Sequence, residues 1–332
     1  MTGKKSLKGF VAKDINLTIL IVAIAGIIIV LSAILGNKFL SPMNFQSMAY
    51  QIPEFGFIAL AMMICMLTGG IDLSVVSVAT MSSVLAAMIM TGITENGGDA
   101  GYAIGMAVLA ALGVSLLCGL FNGILIAKCS VLPILATLST MILYTGIAMA
   151  ITDGAGITGF PKEFIKFGSA KVFDIPVIFI LFLAAAVLIA LMLRRTKLGR
   201  SLYLYGENST VSLFSGIRNE RLVVITYTLS GLLCGIASII MMSRVNSARV
   251  GYGDTYQLQA ILVCALGGVS PDGGKGKVIG VVIAILVLQI LQSGFTLLNF
   301  APFVKSLIWG SVLIVIMITN YLIETKKAAA AA

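Results

Sequence analysis

The chain has 332 residues, of which 59% are hydrophobic and only 11% charged, with a mean hydropathy of +1.09, a net charge of +9 and no histidine. Ordinary soluble domains carry roughly 25% charged residues, so a soluble globule of this composition could not cover its own apolar surface. Runs of about 20 apolar residues, enough to cross a bilayer, recur along the whole sequence, and the expected class is an all-α polytopic integral membrane protein.

Ten apolar runs follow one another in chain order, at residues 15–36, 51–69, 73–91, 102–127, 131–151, 174–193, 222–243, 256–270, 277–297 and 303–322. Each is bounded by charge or by Gly and Pro. None has the alternating pattern of a lipid-facing barrel strand, and backbone groups in hydrocarbon must be paired within the segment, so helices are expected. The first run is longer than a signal-peptide core and has no small-residue cleavage pattern after it, so it reads as a transmembrane helix. The expected organisation is a basic N-terminal segment at 1–14, a transmembrane domain at 15–322 and a tail at 323–332, whose five closing alanines are left out of the reading.

Lysine and arginine set the orientation. With ten spans and a cytoplasmic N-terminus, fifteen of the 22 basic residues fall inside, among them Lys128, Arg194, Arg195, Lys197, Arg200, Arg218, Arg221, Lys275 and Lys277. The reverse orientation inverts that bias, so both termini are expected in the cytoplasm. The net positive charge then belongs to this bias and to anionic headgroups, and nucleic acid is not an expected partner.

Several chemistries have no residues to carry them. Without histidine the commonest general base and metal ligand are missing. Neither Gly-Lys pair in GGVSPDGGKGKV has the flanking residues of a phosphate-binding loop, so this chain is not read as an ATPase, and no cofactor or metal is expected. The five cysteines, Cys65, Cys118, Cys129, Cys234 and Cys264, lie in or beside apolar runs without CxxC pairing and read as small core residues. GYGD at 251–254 resembles a motif of intramembrane aspartyl proteases, which need two facing carboxylates; Asp72 is the one partner on offer for Asp254, and the topology puts the two on opposite sides of the membrane.

The longest polar segment, residues 194–222, is expected on the cytoplasmic side. Asn208 and Ser209 are helix N-caps, Val211, Phe214 and Ile217 recur at near-helical spacing, and Gly216 offers a stop. A short amphipathic helix there suits docking of a cytoplasmic protein, and its rival is a helix lying on headgroups.

TGGIDLS at 68–74, FNGILIA at 121–127, GENSTVSLFSGI at 206–217, TYTLSGLLCGIASIIMMSRVNSA at 226–248 and LGGVSPDGGKGKVIG at 266–280 together resemble the permease subunits of bacterial ABC importers for ribose and related monosaccharides, within the branched-chain amino acid/sugar permease superfamily. The blocks stand in the family's order across almost the whole chain. The resemblance implies a type II importer fold and a dimer, homo- or heteromeric, in the bacterial inner membrane. It also implies a separate cytoplasmic ATPase and an extracytoplasmic sugar-binding protein as partners, with alternating access and no chemistry on the sugar.

Carried over by residue, the resemblance places Gly69, Gly70, Asp72 and Ser74 at a helix break near the pathway, where Asp72 either caps the third helix or faces a wet cavity. Asn122, Tyr144, Gln259, Gln289, Gln292 and Asn299 are further pathway candidates, each also suited to bonding between helices. Gly206, Glu207, Asn208, Phe214, Ser215 and Gly216 match the segment that couples to the ATPase, and Arg244 and Arg249 are candidates for docking the binding protein. Four residues depart from the family pattern: Glu207 replaces Gly, Val76 replaces Gly, and Gln257 and Gln259 replace acids, which bears on the substrate subclass. The rival reading is an ion-coupled secondary transporter using Asp72; the long coupling loop and the expected lack of other acids in mid-span speak against it.

Overall fold

The computed structural model describes residues 15–331; the basic segment 1–14 lies outside the described residues. The first six long helices are α1 (Ile15–Leu35), α2 (Pro42–Met66), α3 (Val75–Glu95), α4 (Ala100–Ala127), α5 (Pro133–Thr152) and, after the two-residue strand β1 (Ile157–Thr158) and the short helix α6 (Lys162–Ser169), α7 (Val177–Arg195). Strands β2 (Lys171–Val172) and β3 (Ile175–Pro176) form a hairpin between α6 and α7. Helices α8 (Lys197–Glu207) and α9 (Ser209–Phe214) precede α10 (Asn219–Val245), strand β4 (Ser247–Ala248), α11 (Asp254–Leu266), α12 (Val278–Leu297) and α13 (Pro302–Ala331).

Among the described residues, eight helices are long and apolar enough to cross a membrane. The all-α, polytopic class stands, and the eighth expected span takes a shorter form. Helix α11 has 13 residues, about 20 Å at 1.5 Å per residue, short of the roughly 30 Å hydrocarbon core. Helix α13, Pro302–Ala331, covers the whole of the expected span 303–322.

Helix α2 is the axis of the bundle. Of its apolar window 83% is buried, against 11% for α1, and α7, α10, α11 and α12 pack around it. It begins nine residues before the expected span because Ser41 caps it, accepting from the Asn44 N–H at 3.3 Å, with Pro42 at the first position. Proline suits that position because its missing N–H would be unpaired there anyway.

The tightest pair is α4 against α10. Ala103, Ala107, Ala111, Ser115, Gly119 and Gly123 recur every fourth residue and are all buried, while Tyr102, Met106, Leu109, Leu117 and Phe121 face outward. A Cβ at Gly119 would strike the Tyr227 carbonyl, and one at Gly231 would strike the Ser115 carbonyl. In a bilayer apolar burial does not draw helices together, so close backbone approach along a small-residue stripe supplies the contact.

The chain gathers its basic loops at one end. Lys128, Arg194, Lys197, Arg218 and Lys275 lie on the connections α4–α5, α7–α8, α9–α10 and α11–α12. The opposite end carries α6, the β2–β3 hairpin and the antiparallel pairing of β1 with β4, Ile157 opposite Ala248. Phe164 and Gly168 seat α6 against the bundle, Gly168 lying on the Ser243 backbone. Composition alone did not announce α6.

Candidate functional site

Helix α2 ends at Met66 and α3 starts at Val75, and the residues between them fold into a polar knot at the basic end. Asp72 is 3% exposed. Its Oδ1 accepts from the Ser74 N–H at 3.0 Å and the Ser74 hydroxyl at 2.6 Å, and its Oδ2 from the Ser230 hydroxyl of α10 at 3.0 Å. The Cys65 thiol adds a weak contact at 3.8 Å. No cation stands beside this carboxylate among the described residues. Neutral donors and the partial positive charge at the start of α3 hold it instead.

The knot reaches two more helices. Asn122 of α4 donates to the Ser74 hydroxyl oxygen at 2.7 Å, and the Tyr144 hydroxyl of α5 donates to the Asn122 side-chain oxygen at 3.3 Å and the Cys118 carbonyl at 3.1 Å. Thr137 of α5 accepts from the Leu73 N–H and donates to the Ile71 carbonyl, both at 3.1 Å. Asp72, Ser74, Asn122 and Tyr144, chosen separately from the sequence, therefore form one buried network. The Asp72 carboxylate bonds the amide of Ser74, the residue before α3, and α3 carries no side-chain cap on its first turn.

A second layer joins the break to segment 203–207 at the end of α8. Gly274 donates its N–H to the Leu67 carbonyl at 3.0 Å, and Tyr203 of α8 donates its hydroxyl to the Gly276 carbonyl at 2.8 Å. Burial pushes the Tyr203 phenol above its usual range, which keeps it a donor. A Cβ at Gly206 would strike the Leu67 carbonyl and the Gly274 amide, so only glycine lets the end of α8 close on both. Gly69, at φ +77°, lies against the Asp272 carbonyl, and Gly70 against the Tyr227 hydroxyl.

Helix α9 projects from this layer. Asn208 caps it, its side-chain oxygen accepting from Thr210 and Val211 N–H at 2.9 and 3.0 Å, and Gly216 at φ +78° ends it. Val211, Leu213 and Phe214 are 48%, 60% and 87% exposed. Glu207 and Ser215 flank the helix and are also exposed, while Ser212 turns inward to bond Asn219 at 2.7 Å. The expected face of Val211, Phe214 and Ile217 is altered: the helix closes at Phe214, Ile217 is half-buried, and Leu213 joins the exposed set.

The remaining pathway candidates sit elsewhere. Gln289 of α12 donates to the Gln51 side-chain oxygen of α2 at 3.1 Å, the interhelical bond that was its other expected role. Gln259 and Gln292 line a cleft of about 230 Å³ with Trp309 and Lys305. Asn299 is exposed on the connection to α13 at φ +56°.

At the opposite end the expectation of no further acid in mid-span fails. Glu54, in the middle of α2, is fully buried and holds Arg244 in a two-pronged ion pair: Nη2 to Oε2 at 2.9 Å, with Nε on Oε1. The Tyr256 hydroxyl donates to the same carboxylate at 3.2 Å, and Tyr252 bonds Arg244 at 3.2 Å. A span can carry a carboxylate when its partner comes from another helix, which hydropathy does not register. Arg244, expected at a docking surface, thus has its guanidinium occupied within the chain, whereas Arg249 is exposed. No bond joins Asp72 and Asp254 among the described residues: Asp72 is enclosed by Ser74 and Ser230, while Asp254 is exposed at the start of α11.

The sequence reading missed Glu54, Ser230, Thr137 and Cys65. Ser230 lay within a run already quoted, but nothing local marks which serine of α10 faces a carboxylate 158 residues earlier.

Residues 44–317 match the family model described as branched-chain amino acid transport system / permease component. The chain is 35% identical to the ribose import permease protein of Bacillus subtilis (strain 168) over 306 residues, 91% of each chain. It is 33% identical to the ribose import permease protein of Escherichia coli (strain K12), again over 91% of each. It is 31% identical to an autoinducer 2 import system permease protein of Yersinia enterocolitica over 79% of each. No solved structure matches the chain.

Proposed function

We propose, from the premise that the chain belongs to the branched-chain amino acid transport system permease family, that it is the membrane subunit of an ATP-driven importer and passes a monosaccharide, ribose-like or a sugar-derived signal, into the cytoplasm by alternating access. It works as a dimer in the bacterial inner membrane, with the basic end cytoplasmic. An ATPase binds there, and a sugar-binding protein docks at the opposite end, where Arg249 is exposed and outside any ion pair among the described residues.

The observation that carries the mechanism is the stacking of α9, the Gly206 end of α8, the Leu67–Gly274 contact and the Asp72 knot on one another. A push on Val211, Leu213 and Phe214 passes through backbone contacts into the break between α2 and α3, and from there through Asn122, Tyr144 and Ser230 into α4, α5 and α10. Rigid packed contacts of this kind move as bodies and are suited to switching between two arrangements. Three exposed apolar side chains on a capped helix fit a groove in a protein partner, the usual mode for such helices.

The test is uptake of radiolabelled D-ribose and related monosaccharides into vesicles holding the full transporter, with ATP supplied or withheld. Accumulation that needs ATP and survives collapse of the proton and sodium gradients supports the reading. Accumulation that follows an ion gradient without ATP would transfer the role to Asp72 as a coupling site.

A further inference from the structure

A cleft of about 250 Å³ opens between the first turns of α3, the middle of α5 and the start of α11. Its polar lining is Ser77 and Thr80 of α3, Thr145 of α5, and Asp254 and Gln257 of α11; Val76 and Met141 supply apolar wall.

Two of those residues break a pattern. Hydroxyls in membrane helices ordinarily bond the carbonyl three or four residues earlier. In α3, Ser77, Ser82, Ser83, Thr91 and Thr94 all do so, and in α5 so do Thr137, Ser139, Thr140 and Thr152. Thr80 and Thr145 are the exceptions: among the described residues neither hydroxyl is bonded, and both line the same cleft. The Asp254 carboxylate, which is exposed, and the half-buried Gln257 amide line it without side-chain partners too. Donors and acceptors left open to a cleft are free to bond what enters it.

We infer that this cleft is a sugar foothold within the permease, taking one neutral, polyhydroxylated molecule of monosaccharide size and disfavouring anionic sugars. The inference rests on the importer reading and names a site for it. Asp254 accepts from sugar hydroxyls, Thr80 and Thr145 both donate and accept, and Gln257 presents an amide that does either. A volume of 250 Å³ equals about eight liquid waters at ~30 Å³ each, room for about ten heavy atoms. No cationic side chain lines the cleft, and its one charge is negative, so a phosphorylated or carboxylated sugar meets repulsion without compensation. Weak, multiply hydrogen-bonded holding of this kind also suits a transport path, which must release what it binds.

The test is cysteine protection in right-side-out vesicles carrying the assembled transporter. Thr80→Cys and Thr145→Cys are made singly in a Cys129→Ser background, since Cys129 is the exposed native thiol, and modified from the outside with an impermeant methanethiosulfonate. D-Ribose and a panel of neutral pentoses and hexoses at 10 mM or so serve as probes, with D-ribose 5-phosphate as the anionic control. Both positions should react, at least one neutral sugar should slow the reaction threefold or more at both, and the phosphate ester should not. Failure of both thiols to react means that the cleft is closed or filled by a second chain, and overturns the site. Reaction that no neutral sugar slows, or that the phosphate ester slows equally, overturns it as well. ATP-driven uptake is measured in the same vesicles: uptake without protection removes the foothold and leaves the importer, while protection without uptake does the reverse.

Discussion

The Leu67 carbonyl accepts a hydrogen bond from the Gly274 amide at 3.0 Å, and Gly206 lies against both groups. Three distant parts of the sequence meet there through backbone alone. The end of the axial helix, the loop before α12 and the start of the coupling segment are thereby one mechanical unit.

Replacing Gly206 with valine forces a branched side chain into that contact. Overpacking of this kind costs about 1–3 kcal/mol, so the chain should still insert, with a lowered unfolding temperature in detergent. The ATPase should still bind, because Phe214 is untouched, while ATP-driven uptake falls at least tenfold. Uptake at the wild-type rate would show that force does not pass through Gly206.

Phe214→Ala separates docking from folding. The ring is 87% exposed, and exposed substitutions away from special features stay within about 0.5 kcal/mol. Thermal stability of the isolated permease should therefore not move. Recovery of the ATPase on the tagged permease should fall tenfold or more, as expected when an aromatic anchor worth about 2 kcal/mol is cut from an interface. If α9 instead lies on headgroups, recovery will be unchanged.

Arg244→Met leaves the fully buried Glu54 carboxylate without its cation. Breaking a buried pair from one side costs about 3–5 kcal/mol, whereas exchanging both partners for apolar residues is often neutral. The single variant should thus unfold at a markedly lower temperature, and Arg244→Met combined with Glu54→Leu should recover most of the loss. Equal destabilisation by the single and the double variant would mean that the pair contributes nothing as a pair.

Asn122→Ala cuts the chain between Ser74 and Tyr144. Interhelical hydrogen bonds in membranes average about 0.6 kcal/mol, so two lost bonds predict a loss near 1 kcal/mol, readable as a shift in unfolding in detergent. Tyr144→Phe removes a hydroxyl that also makes two bonds, to Asn122 and to the Cys118 carbonyl, and should cost about as much. A loss of several kcal/mol from either would show that the knot acts cooperatively, beyond the sum of its bonds.

Sequence patterning made the class and most spans legible because hydropathy is a local property. The caps at Asn208 and Gly216 were legible for the same reason: a side chain bonding the amide two or three residues on needs no knowledge of the rest of the fold. Helix α2 was read nine residues short because PMNFQSMAY is not apolar enough to look like a span, although Ser41-Pro42 carried a start signal. Long-range partners were not legible. Glu54 stands near the start of the expected span 51–69, and its partner Arg244 lies 190 residues later, beyond any local pattern. The six-residue stripe from Ala103 to Gly123 was present in the sequence as small residues at every fourth position, and its meaning depended on α10 bringing Gly231 opposite. Asp72 fell between these cases: its place before a helix was local, and its bond to Ser230 was not.

The central claim is that α9 couples this permease to a separate ATPase. The most direct measurement is recovery of the tagged protein from native membranes in mild detergent, with co-purifying chains identified by mass spectrometry, for the wild type and for Phe214→Ala. The account predicts an ATPase with a phosphate-binding loop on the wild type and its loss from the variant. A wild-type permease that emerges without an ATPase, yet drives sugar uptake from an ion gradient, would contradict it.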